Sequence, residues 1–155
     1  MTDAATATER VTGPRSPRVL YTARATAAGG RDGRTRTDDG VLDVAVATPP
    51  ELGGPGGGTN PEQLFAAGYA SCFHSALLIV AGKAGVDAAG STVTAEVGIG
   101  PVGRVFGLAV TLSVHLPGVA EHIAAELLDA AHAVCPYSNA TQGNIPVRIE
   151  LDPAG

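Results

Sequence analysis

The chain has 155 residues, 45% of them hydrophobic, which allows one compact domain or one subunit of an oligomer but no second full domain. Its net charge is −5 and it has no run of Lys or Arg, so nucleic acid is not expected as a partner. Residues 1–17 are rich in Thr, Ala and Pro and lack the apolar segment of a secretory signal. They predict a disordered tail, followed by a single domain at 18–155 in the cytoplasm.

The first third of the domain is predicted to be β-structure. Residues 19–27 are compatible with a strand, and Asp39-Gly40 is typical of a hairpin turn that leads into a strand at 41–46. The segment from 48 to 59 is too rich in Gly and Pro to hold regular structure, and we expect a mobile surface loop there.

A long helix is predicted next, with clear signals at both ends. Asn60 is a typical N-cap, Pro61 suits the first helical position, and Gln63 can reach back to the cap in a capping box. Gly85 marks the expected end. Apolar and small residues occupy nearly every face between these points, so the helix must be covered on all sides and is predicted to be the central element.

The middle of this helix, residues 64–81, carries no Asp, Glu, Lys or Arg and has about the minimum length of a membrane-spanning helix. Much of it is Ala, Gly and Ser, and no second apolar segment or flanking basic cluster accompanies it. A buried core helix is therefore predicted, and no membrane partner is expected.

Two strands follow, predicted at 92–100 and 106–116 and joined by a turn at 101–103. The second strand has one apolar face, formed by Phe106, Leu108, Val110, Leu112, Val114 and Leu116. The order of strands, helix, strands, helix and strand along the whole chain is that of an α+β protein.

The remaining elements are a helix and a strand. The helix begins near residue 119, and its apolar stripe consists of Ile123, Leu127, Ala130 and Val134. Pro136 disfavours the helical conformation at Cys135 and so places this cysteine at a helix end. A strand is predicted at 147–151, with one apolar face and one solvent-exposed face. One sheet face cannot cover the long apolar helix, which predicts a homodimer.

The two cysteines are the first candidates for chemistry. In a reducing compartment such a pair is more often catalytic, redox-active or metal-binding than a permanent disulfide. Cys72 lies within the long apolar helix and, taken alone, could equally be a small buried hydrophobic residue. Cys135 lies 63 positions further on, so only the fold can bring the two sulfur atoms together.

The four histidines do not predict a metal site. Cys72 and His74 lie on roughly opposite helix faces, and neither a Cys-x-x-Cys nor a His-Glu-x-x-His pattern occurs. His132, three residues before Cys135, could act as a base or be a solvated helix-end residue. His74 fits a core or interface position. Tyr69 and Phe73 are expected to pack in the core, with a role in lining a substrate channel as the alternative.

Two segments that each contain a cysteine resemble one known family. Residues 60–73 (NPEQLFAAGYASCF) and 134–141 (VCPYSNAT) are similar to the organic hydroperoxide resistance (Ohr) branch of the OsmC/Ohr superfamily. The likeness continues through residues 21–23, 29–34, 39–44, 51–54 and 143–144 and spans the chain from about Val19 to Leu151.

This resemblance implies an OsmC/Ohr-like fold, with antiparallel sheets wrapped around a long central apolar helix in an intertwined homodimer. It also implies a thiol-dependent peroxidase with two active sites at the subunit interface and no bound cofactor. The substrate would be an organic hydroperoxide and the reductant a dihydrolipoyl group. Matched motif by motif, Cys72 is the reactive cysteine, Cys135 the resolving cysteine, Arg31 the residue that holds the thiolate, and Glu51 the carboxylate that orients Arg31.

Elementary chemistry agrees with these roles. A thiol of pKa about 8.5 is only a few per cent thiolate at neutral pH, so a buried reactive cysteine needs a nearby cation. A guanidinium stays protonated and can hold a sulfur and a carboxylate together. Physics alone does not separate Arg31 from Arg34 and Arg36, and Glu51 alone could be a solvated loop acid.

Two other functions are compatible with the same sequence. One is an OsmC-like stress peroxidase that accepts a broader range of peroxides. The other is a redox sensor or apolar-ligand binding module, in which the cysteine pair changes shape without turnover. The segment 134–141 favours the Ohr branch over the first of these.

Overall fold

The computed structural model describes residues 16–152. Most of the predicted tail therefore lies outside the described residues; of it, Ser16 and Pro17 are described, exposed and outside any regular element. The disorder of this tail and the domain bounds remain predictions.

The first sheet is a small antiparallel unit of three strands, β1 (Ala25–Ala28), β2 (Gly33–Thr37) and β3 (Asp43–Val46), in the order β1-β2-β3. The strand predicted from residue 19 begins only at Ala25, and β2 was not predicted. The predicted turn is present: Gly40 has φ +71°, and the Asp39 carboxylate accepts from the Thr37 hydroxyl and the Val41 N–H. These strands contact mainly one another.

The Gly/Pro segment after β3 is more ordered than its composition predicts. It contains a short 3₁₀ helix, Pro50–Leu52, and its far end is tied to β3 by reciprocal backbone bonds between Thr59 and residues 45 and 47. Gly54 lies so close to Thr48 that a β-carbon at this position would overlap the Thr48 carbonyl. The glycines of the segment from 48 to 59 thus permit close contact between backbone atoms. The predicted mobility of this segment remains a prediction.

The long helix, α1 (Pro61–Ala84), has the predicted ends. The Asn60 side chain accepts from the Gln63 N–H at 2.8 Å, and Gly85 closes the helix with φ +69°. The Gln63 side chain accepts from the Thr59 hydroxyl instead of bonding the cap backbone. By length and composition α1 could cross a bilayer, with a mean hydropathy of 1.7, but it forms the core helix of this fold.

One side of α1 is packed and the other is open within a single chain. The buried side contacts the second sheet and the two later helices through Tyr69, Phe73, Ala76, Leu77 and Ala81. On the open side Ile79 is 56% exposed. The full cover predicted for α1 therefore requires something beyond one chain, which is consistent with a homodimer.

The second sheet has the order β4-β5-β6, with β4 (Thr92–Val102), β5 (Val105–His115) and β6 (Val147–Leu151). β4 and β5 are antiparallel, but β6 runs parallel to β5, so the sheet is mixed and not wholly antiparallel as predicted. The β4–β5 turn lies at 103–104, later than predicted.

The apolar alternation of β5 is confirmed over most of its length. Its buried residues are Val110, Leu112 and Val114, with Leu116 just beyond the strand end. Phe106, near the hairpin tip, is 69% exposed, so the predicted buried face does not extend to it.

Two helices complete the fold, α2 (Glu121–Val134) and the unpredicted α3 (Pro136–Thr141). The buried face of α2 consists of Ala124, Leu127, Leu128 and Ala131, so the predicted stripe was rotated and its member Val134 is exposed. Cys135 lies between α2 and α3 in an extended conformation, as the following proline requires. The α+β class, with a long apolar central helix, is confirmed.

Candidate active site

The fold brings the two cysteines together. Their Sγ atoms lie 3.6 Å apart, and both are free thiols. Cys72 on α1 is half-buried, whereas Cys135 is 0% exposed. A disulfide requires an S–S distance of about 2.05 Å, so a shift of roughly 1.5 Å would join them.

Hydrogen bonds between helices hold Cys135 over α1. The Tyr69 hydroxyl lies 2.9 Å from Ser138 Oγ and 3.0 Å from Thr141 Oγ1, and all three residues are buried. Tyr69 precedes Cys72 by three residues and shares its helix face. The Tyr69 contacts thus fix the position of α3, and with it Cys135, relative to the Cys72 thiol.

The surroundings of Cys72 within one chain do not favour a thiolate. Burial is the main cause that raises the pKa of its thiol above the ordinary value, and the Cys135 sulfur acts in the same direction. The backbone N–H of Tyr137 bonds the Cys72 sulfur and acts in the opposite direction, but it does not outweigh burial. No cation of the described chain contributes to this balance.

The predicted cation, Arg31, lies elsewhere in the single chain. Its guanidinium binds the Glu62 carboxylate at both ends, with Nη1–Oε2 at 2.9 Å and Nη2–Oε1 at 2.6 Å. The hydrogen bonds from Arg31 lower the pKa of Glu62, so this carboxylate stays charged. Arg34 and Arg36 both face Asp43, at 2.6 and 3.9 Å, so Arg31 is the arginine of this group that reaches α1.

The predicted pairing of Arg31 with Glu51 is wrong for this structure, because the carboxylate on Arg31 is Glu62. Glu51 is exposed in the 3₁₀ helix and lines a cavity of about 590 Å³ that Glu62 also lines. A catalytic role of Glu51 itself remains a prediction.

The Arg31–Glu62 pair and the thiol pair are separated along α1. Cys72 follows Glu62 by ten residues, which is about 15 Å of helix axis. The ion pair of one chain therefore does not reach the Cys72 sulfur of the same chain.

A second cavity, of about 420 Å³, opens beside Cys72. One face of α1 from Cys72 to Lys83 lines it, together with Val134 and Pro136. Most of this lining is aliphatic, so the cavity can hold an alkyl group against the half-buried sulfur.

Comparison with known proteins identifies the family. The model of the family "OsmC-like protein" matches residues 54–150. The chain is 52% identical, over 86% of its length and 96% of the relative's, to an organic hydroperoxide resistance protein of Xanthomonas axonopodis pv. citri. The chain belongs to the OsmC/Ohr superfamily.

Solved structures of the Ohr branch have the same fold. An organic hydroperoxide resistance protein from Legionella pneumophila has a TM-score of 0.83 at 46% identity, over 87% of this chain and 99% of the other. OhrB of Bacillus subtilis has a TM-score of 0.78 at 44% identity, over 86% of this chain and 100% of the other. The Ohr resemblance is thereby confirmed, and it gives this chain a role in the response to peroxide stress.

Sequence reasoning missed Glu62 although this residue lies inside the Ohr-like segment 60–73. An acidic residue in the first turn of a helix is usually explained by the helix dipole. This explanation gives no reason to look for a further role, such as binding an arginine. The only available signal was its place two residues after the N-cap, on a segment that Arg31 could reach only through the fold.

The remaining candidate residues have structural roles or no hydrogen-bond partner. His74 Nε2 lies 3.0 Å from Ser91 Oγ, and the aromatic side chain of Phe73 is buried in the core. His132 Nδ1 is buried with no hydrogen-bond partner in the described chain. Within residues 16–152, no group of three or more His, Cys, Asp or Glu side chains is arranged to hold a metal ion.

Proposed function

We propose that this Ohr-family chain is a thiol peroxidase that reduces organic hydroperoxides to alcohols. The observation that carries the proposal is the pair of free thiols 3.6 Å apart, with Cys72 at an apolar cavity and Cys135 fully buried. Only a half-buried sulfur beside a cavity can meet the substrate first, which makes Cys72 the nucleophile and Cys135 the resolving residue.

The chemistry balances in three steps. The Cys72 thiolate attacks the distal peroxide oxygen, the O–O bond breaks, and the alkoxide takes a proton to leave as the alcohol, with Cys72 now a sulfenic acid. Cys135 then attacks the Cys72 sulfur, which forms the disulfide and releases water. A dithiol finally reduces the disulfide and is itself oxidised to a disulfide.

The first step needs a cation at Cys72, since burial raises the pKa of this thiol. We infer that Arg31, held by Glu62, supplies the cation from a second copy of the chain. Two observations support this arrangement: the pair lies about 15 Å along α1 from the thiol of its own chain, and the open side of α1 requires a cover. The functional unit is then an intertwined homodimer with two shared sites.

The Ohr resemblance implies a dihydrolipoyl group as the reductant. Its attack would fall on Cys72, because Cys135 is 0% exposed and a small dithiol can approach only the half-buried sulfur. A reducing cytoplasm is the compartment in which two free, catalytic cysteines are expected.

Thiol counting tests the proposal directly. The reduced protein receives one equivalent of cumene hydroperoxide, its free thiols are titrated, and dihydrolipoamide is then added with excess peroxide. We expect two thiols to disappear per chain and repeated turnover to follow. A single stoichiometric oxidation without turnover would instead make the protein a redox sensor. Equal kcat/KM values for hydrogen peroxide and cumene hydroperoxide would favour the broader stress peroxidase.

A further inference from the structure

Gly68 lies in the interior of α1, one turn before Cys72. Glycine destabilises the interior of a helix relative to alanine, so a glycine at this position needs a packing reason. The structure provides one, because a β-carbon at Gly68 would lie 2.9 Å from the hydroxyl oxygen of Tyr137 and 3.1 Å from its Cε2. The missing side chain therefore leaves room for the Tyr137 ring.

The ring of Tyr137 is held on two further sides by aromatic residues of α1. Its centroid lies 6.3 Å from that of Phe65 and 5.8 Å from that of Tyr69, at interplanar angles of 57° and 53°. Tilted aromatic pairs at these distances attract one another. The hydroxyl group of Tyr69 is itself fixed by Ser138 and Thr141. The ring thus has a defined position on α1, although Tyr137 is 41% exposed.

The backbone N–H of Tyr137 contacts the sulfur of Cys72. Gly68 and Cys72 are four residues apart, so they lie on one helix face about 6 Å apart along the axis. Tyr137 therefore spans one turn of α1, with its ring on Gly68 and its N–H on the thiol. The other influences on this thiol within the described chain are burial and the Cys135 sulfur, and both oppose ionisation.

We propose that Tyr137 is a positioning residue for Cys72, whose ring, packed on Gly68, holds the backbone N–H of Tyr137 at the reacting sulfur. A hydrogen bond to the charged form of a group favours that form, so a fixed N–H increases the fraction of thiolate that can attack the peroxide. This inference rests on the proposed peroxidase function and adds a residue to its site. It does not depend on the cation that we infer Arg31 to supply from a second copy.

Gly68→Ala tests the packing of the ring, because the added methyl group must displace it. The rate of alkylation of Cys72 by iodoacetamide is followed against pH in the reduced protein, and peptide mass identifies the labelled cysteine. We expect the apparent pKa of Cys72 to rise and the rate at neutral pH to fall about tenfold, the lower range for loss of a hydrogen bond to a charged group. Gly82→Ala is the matched control on the same helix, since a β-carbon there would have no tertiary neighbour within 4 Å in the described chain. It should keep the wild-type profile.

Substitutions of Tyr137 separate the ring from its hydroxyl group. Tyr137→Phe keeps the ring on Gly68 and, added to Gly68→Ala, should restore part of the alkylation rate because the 2.9 Å contact is removed. Tyr137→Ala should raise the apparent pKa of Cys72 as Gly68→Ala does. The two alanine substitutions together should give no further rise, since the ring is already absent. A wild-type profile in either single alanine variant would overturn the proposal, as would additive effects in the double variant.

Stability measurements and turnover separate this inference from two simpler outcomes. Denaturant titration reports the free energy of unfolding of each variant. Lower stability of Gly68→Ala or Tyr137→Ala with a wild-type alkylation profile would make the contact purely structural and would also overturn the proposal. The alkylation experiment contains no peroxide, so failure of the peroxidase function would appear separately, as a lack of turnover of cumene hydroperoxide by wild type.

Discussion

Glu62 binds Arg31 in the structure, whereas Glu51 is the carboxylate that the sequence assigns to it, and substitution can rank the two. Glu62 is 12% exposed and binds both ends of the guanidinium, whereas Glu51 is exposed in the 3₁₀ helix. Glu62→Gln should free Arg31 and lower kcat/KM for cumene hydroperoxide about tenfold, equivalent to a shift of one pKa unit in the reacting thiol. A steady-state assay beside Glu51→Gln as the matched variant checks this. A larger loss in Glu51→Gln would restore the assignment made from the sequence.

The unequal exposure of the two cysteines predicts unequal consequences when either is removed. Cys72→Ser should abolish peroxide consumption and leave Cys135 as a free thiol. Cys135→Ser should still consume one equivalent, but its sulfenic acid has no partner and should oxidise further. Intact-mass measurement should show addition of one, then two and three oxygens to this variant, and loss of two hydrogens from wild type. The opposite pattern would reverse the roles of the two residues.

The element that places Cys135 is α3, which depends on the buried Tyr69 hydroxyl. Tyr69→Phe removes hydrogen bonds to Ser138 and Thr141 and leaves two buried hydroxyl groups with fewer partners. The free energy of unfolding should fall by about 1–3 kcal/mol, and disulfide formation after peroxide addition should become slower. Denaturant titration and stopped-flow thiol measurements check the two effects. Unchanged values in both would mean that packing alone positions α3.

The elements found from the sequence are those with local signals. The cap residues of α1 and the alternation within β5 are readable one turn or one strand at a time, and both are present. β6 was found as a strand, but its parallel pairing with β5 depends on where α2 and α3 return the chain. The short α3 was hidden because Pro136, which ends α2, also suits the first position of a new helix.

The candidate site, like the fold, combines features that local sequence predicts with features that only the fold determines. The chemistry of Cys72 and Cys135 was predictable from residue type, while their distance of 3.6 Å is a product of the fold. The role of Arg31 at the thiolate remains a prediction. Its carboxylate partner in the structure, Glu62, lies 31 positions away along the chain, and no spacing rule could identify it. Side-chain pairs between distant segments have no local signal in the sequence, and for this reason the pair of Arg31 and Glu62 was not predicted.

At the scale of the whole molecule, the separation of Arg31 from Cys72 makes the subunit arrangement testable. If the site is shared, Cys72 of one copy works with Arg31 of the other. Cys72→Ser and Arg31→Ala homodimers should then both have very low activity. When the two variants are denatured, mixed in equal amounts and refolded, half of the dimers should be mixed, and each of these should contain one complete site.

The mixture should therefore regain about a quarter of wild-type activity, as random pairing of two symmetric subunits requires. A mixture refolded separately and then combined is the control, and it should stay inactive while the subunits do not exchange. If Arg31 instead acted on Cys72 of its own chain, the mixed dimer would contain no complete site, because one chain lacks the thiol and the other lacks the cation. Recovery of activity thus requires a site shared between two subunits. The open side of α1 and the raised pKa of Cys72 both favour this arrangement.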